Sequence, residues 1–133
     1  MQISLTQLQD HLLADRERLA NDLVAHLREV KPALFLCYPL PYLHWVACDS
    51  LLVSEPFRLD DVYALRTFFR LRFEIAPGFY KEPRIAAVLR DASLAGIQRF
   101  ERLAQPEFSD AWLAAQQFDG PIEWRSRYWG MPT

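Results

Sequence analysis

The sequence predicts a mainly α-helical domain: a compact bundle of four to five helices led by a long N-terminal helix. Three observations carry this. Apolar residues recur at helical spacing through most of the chain. Hydrophobic residues make up 51% of 133 residues against 24% charged, enough for one core and too apolar for disorder. No proline or glycine interrupts the first periodic stretch until Pro32, and Pro77-Gly78 and Pro106 end later ones. One domain spanning residues 1–133 follows from the length.

The first element covers residues 4–30. Ser4 with Gln7 has the form of a capping box, and Leu5, Leu8, Leu12, Leu19, Leu23, Leu27 and Val30 line one face. Nothing breaks the pattern before Pro32, so a single helix of about 40 Å is expected, long enough to lie along a bundle or a second copy of the chain. Residues 33–53 read either way. Ala33 to Tyr38 and Leu43 to Cys48 could form short buried strands or short helices around the Pro39-Leu40-Pro41 bend. A minor β element is therefore allowed for here and in the C-terminal tail.

Asp60 is the expected cap of the next helix, which gathers Val62, Leu65, Phe68, Phe69 and Phe73 and ends at Pro77-Gly78. Pro83 opens another, with a stripe from Ile85 through Val88, Leu89, Ala92, Gly96 and Phe100 to Leu103 and a bend near Asp91 or Gly96. Pro106 stops it. Ser109 starts a short helix carrying Trp112 and Leu113, which Asp119-Gly120-Pro121 ends. The tail from Ile122 to Trp129 alternates with period two, as an edge strand or extended arm would.

Residues 32–48 contain no Asp, Glu, Lys or Arg, but Pro39 and Pro41 interrupt them mid-span. Buried core or a partner-facing apolar surface fits better than a membrane helix. The first residues lack the basic and apolar regions of a signal peptide, and two cysteines make no disulfide scaffold. A cytoplasmic protein with free thiols is expected. Thirteen of the fifteen cations are Arg and asparagine occurs once, a usage that fits a GC-rich bacterial genome.

The formal charge of −2 gives no basic surplus, so nucleic acid is not expected as a partner. Between residues 66 and 90, however, six cations face only Glu74 and Glu82, which would suit a protein with an acidic surface. Interface hot spots favour Trp, Tyr and Arg. The candidate partner-binding residues are accordingly Arg66, Arg70, Trp124, Arg125, Arg127, Tyr128 and Trp129.

Catalytic and cofactor motifs are missing. Gly78, Gly96, Gly120 and Gly130 are too scattered for a phosphate cradle, and no nucleophile elbow occurs. Cys37, His44 and Cys48 are chemically suited to zinc, although Cys-x6-His-x3-Cys matches no standard spacing. His44 and Cys48 would share a face if their segment were helical. The reading that follows is a non-enzymatic protein-binding module of the inhibitor, immunity or adaptor kind, without cofactor and able to self-associate. A metal- or ligand-binding protein built on Cys37, His44 and Cys48 is the alternative, and an enzyme using His44 as base is a third.

Overall fold

The computed structural model describes Gln7 and residues 15–118. Seven α-helices occur among them: α1 (Arg16–Val30), α2 (Pro32–Cys37), α3 (Leu40–Val53), α4 (Val62–Glu74), α5 (Pro83–Leu89), α6 (Gly96–Leu103) and α7 (Ser109–Ala115). The fold is a helical bundle, and no strand occurs among the described residues. The tail alternation, the Ser4 box and the Asp119-Gly120-Pro121 stop lie outside those residues.

The long first helix is corrected. Asp15 has extended backbone, φ −115° and ψ 99°, and its carboxylate accepts the Arg18 N–H at 3.1 Å. An aspartate that satisfies an orphan N–H in this way is a helix start. The helix therefore begins at Arg16 and runs 15 residues.

Residues 33–53 are helical. Tyr38, preceding Pro39, is pushed to extended backbone (φ −129°, ψ 144°) and separates α2 from α3. Pro39 then stands at the N-cap and Pro41 in the first turn of α3, where a missing N–H breaks no bond. The uncharged stretch is thus divided between helices of six and 14 residues. Among the described residues no helix is long and apolar enough to cross a membrane.

The cap of α4 is Asp61, not Asp60. Asp60 adopts left-handed backbone (φ 52°), as does Arg58 (φ 48°), while the Asp61 carboxylate accepts the Tyr63 N–H at 2.8 Å. The stripe from Ile85 to Leu103 belongs to two helices. Asp91 accepts the backbone N–H of Ser93 at 3.0 Å, a local turn that competes with helix and ends α5. The chain resumes at Gly96, where a Cβ would stand 2.4 Å from the Leu59 carbonyl oxygen and 2.8 Å from the Ala64 Cβ. Only glycine lets α6 approach α4 and the loop before it so closely.

α1 packs along α2 and α3, α5 packs on α6, and α4 touches α1, α3 and α6. At the centre Phe68 lies 5.1 Å from Phe79, 5.3 Å from Tyr80 and 6.3 Å from Phe57, ring to ring. Trp112 stacks on Phe79 at 5.8 Å, and its indole N–H donates to the Leu103 carbonyl at 2.7 Å.

Two arginines are buried in this core. Arg72 donates to Asp49 Oδ2 at 2.9 Å, Ser50 Oγ at 3.0 Å and the Pro77 carbonyl at 2.8 Å. Arg99 donates to the carbonyls of Phe57 (2.6 Å), Leu89 (2.8 Å) and Leu94 (3.0 Å), tying the loop before α4 to both ends of the α5–α6 turn.

Glu82 caps α5. Burial works to raise its pKa, but the Ile85 N–H, the Arg84 hydrogen bonds and the Arg84 charge outweigh burial and hold it below the ordinary value. A carboxyl depressed in the folded state stabilises fully above its unfolded pKa, about 4.3, and loses that contribution as pH falls through the lower folded value. Glu82→Gln should cost about 1 kcal/mol at neutral pH, and the gap to the native chain should close below about pH 4. Urea titrations across that range would show it; parallel curves would refute the coupling.

Candidate functional site

The chemistry-bearing residues that the fold brings together lie where α1 crosses α3. Glu17 sits in the first turn of α1, and His44 and Cys48 are one helical turn apart on α3. Glu17 Oε1 is 3.0 Å from His44 Nε2, and Cys48 Sγ is 3.9 Å from His44 Nδ1. One candidate ligand atom from each residue lies within 4.8 Å of the other two. Burial, and then the Glu17 carboxylate, push the Cys48 thiol above its ordinary pKa. A raised pKa leaves less of the thiol as thiolate at neutral pH.

Beside this cluster a groove of about 610 Å³ opens between α1, α2 and α3. Val24, Ala25, Phe35, Leu40 and Pro41 form its apolar wall, with Glu17 and His44 at one end and Arg28 toward the other. The ridge next to it is uncharged. α2 buries none of its residues; Leu36 is 80% exposed and Leu40, opening α3, is 58% exposed. Leu34 and Phe35 anchor the ridge by packing on the core, and the Arg28 guanidinium lies over the Phe35 ring at 5.7 Å.

The residues selected from sequence divide into three groups. His44 and Cys48 do share a face, and Glu17 completes their cluster; Cys37 is exposed and stands apart from it. Arg66 donates to both carboxylate oxygens of Asp22, at 2.9 and 2.7 Å, and Arg70 Nε lies 3.4 Å from Glu74. Arg84 pairs with Glu82 and the Arg90 guanidinium stands over the Phe57 ring, so much of the cationic excess of residues 66–90 is engaged within the fold. Trp124, Arg125, Arg127, Tyr128 and Trp129 lie outside the described residues.

Sequence reasoning missed Glu17. It is 27 residues from His44 and joins it only because α1 packs on α3, so no local spacing marks it. No protein-family model matches the chain, and no curated protein or solved structure matches it.

Proposed function

We propose that the chain is a small, non-enzymatic cytoplasmic protein-binding module, of the inhibitor, immunity or adaptor kind, that receives an amphipathic helix of its partner in the groove between α1 and α3. The supporting observation is the uncharged ridge of α2. Leucines stand exposed beside a groove whose wall is apolar, where a monomer with no binding duty would place polar side chains. A helix laid in such a groove buries an apolar face at i, i+3 and i+4 spacing. The groove ends differ in charge. Glu17 and Arg28 are 11 positions apart on α1, or about 16 Å, so a partner helix with an acidic residue near Arg28 is oriented by the rim.

The double substitution Leu36→Asp and Leu40→Asp tests this. Both side chains are exposed, so folding stability should change by no more than about 0.5 kcal/mol per site. A photo-crosslinking residue at position 36 should give one discrete protein adduct in the source cells, lost when Leu40→Asp is added. The same residue at Leu113, exposed on α7, should give none of that adduct. Equal labelling from both positions, or no adduct from position 36, would remove the proposal. An adduct of the chain with itself would replace the foreign helix by a second copy.

A further inference from the structure

Glu17, His44 and Cys48 have a use that does not depend on a protein partner. Carboxylate, imidazole and thiol are the three side-chain types that bind zinc, and they are a poor set for magnesium or calcium, which take oxygen ligands almost throughout. Their backbone support is rigid. His44 and Cys48 project from consecutive turns of one 14-residue helix, and Glu17 comes from the helix packed along it.

The distances suit an ion. In a tetrahedral zinc site with bonds of 2.0–2.3 Å, two ligand atoms are about 3.5 Å apart. Glu17 Oε1 approaches His44 Nε2 at 3.0 Å and Cys48 Sγ approaches His44 Nδ1 at 3.9 Å. The two contacts use opposite ring nitrogens, so one partner must move to the nitrogen the other already approaches. One ligand atom from each of the three residues lies within 4.8 Å of the other two, and the exposed Glu17 side chain is free to swing toward the nitrogen that Cys48 approaches.

Charge balances as well. A thiolate, a carboxylate and a neutral imidazole bring two negative charges to a doubly positive ion, which leaves a neutral cluster at a half-buried position. We propose that Glu17, His44 and Cys48 bind one divalent cation of borderline softness, zinc in the first instance, with a remaining coordination position facing the groove. On binding, the Cys48 S–H bond breaks, its electron pair goes to the metal and its proton to solvent. Three protein ligands with an open fourth position form an exchangeable site rather than a closed structural one.

The test uses the full chain, purified, reduced and stripped with a chelator, then titrated with cobalt(II) and, in competition, zinc. One cobalt per chain should bind, with a near-ultraviolet thiolate-to-metal band. Cys48→Ser should abolish the band, and Cys37→Ser should leave band and affinity unchanged. Loss of an outer-shell hydrogen bond alone commonly costs 10–100-fold in metal affinity, so His44→Ala should weaken zinc binding at least about 100-fold. Glu17→Gln, at an exposed position, keeps the fold intact and should weaken binding about tenfold or more. The site is refuted if no thiolate band forms, if the band follows Cys37→Ser instead, or if Glu17→Gln and His44→Ala, both folded by circular dichroism, bind zinc as the native chain does.

Discussion

Arg72→Met is expected to destabilise the fold by about 3–5 kcal/mol, measured as a shift in the urea midpoint at constant slope. The side chain is completely buried, and its loss deprives the Asp49 carboxylate of its guanidinium, and Ser50 Oγ and the Pro77 carbonyl of their donor. Removing one member of a buried pair leaves charge in a medium that solvates it badly, so the cost exceeds what the pair itself contributes. The double variant Arg72→Met with Asp49→Leu should therefore recover at least about half of the loss. A single-variant cost under about 1 kcal/mol would mean that water reaches the Asp49 carboxylate.

Phe68→Ala should cost a similar amount, about 3–5 kcal/mol. Its ring is fully buried and packs on Phe57, Phe79 and Tyr80, which come from both sides of α4 in the sequence. These neighbours are themselves buried, in single 3-10 turns at Glu55–Phe57 and Phe79–Lys81, so a cavity term adds to the lost transfer energy. Tyr63→Ala on the same helix is the control. Tyr63 is 51% exposed and meets the Arg66 guanidinium at 5.6 Å, a contact whose loss should cost within about 1 kcal/mol. Thermal melts of the two variants separate core packing from helix propensity; comparable losses would show that Phe68 is not a packing centre.

The helical class was legible because leucines and phenylalanines repeat at 3.6-residue spacing through α1 and α4, whose buried faces hold the expected Leu19, Leu23, Leu27, Val62, Leu65, Phe68 and Phe69. Boundaries were less legible where two neighbouring residues could do the same work. Asp60 and Asp61 are both good caps, and only the backbone of the preceding loop decides between them. The start at Arg16 was not legible, because the apolar stripe of residues 4–30 carries no mark of the cap at Asp15. At the site, the helical pairing of His44 with Cys48 followed from their spacing. Glu17 did not, since one exposed glutamate among eight gives no sign of the helix it will cross. The arginine excess of residues 66–90 suggested a partner because composition does not reveal partners such as Asp22, 44 residues before Arg66, or Asp49, 23 before Arg72.

The central position of α4 has a kinetic meaning. α1 packs on α2 and α3, which follow it in sequence, and α5 packs on α6 and α7, whereas α4 touches α1 and α3 on one side and α6 on the other. Contacts between sequence neighbours form with little loop-closure entropy, so each half can assemble early, and the slow event is the meeting of both halves on α4. The folding nucleus is therefore expected on this helix. Substitutions at its buried face should slow folding, whereas those on the outer helices should mainly hasten unfolding.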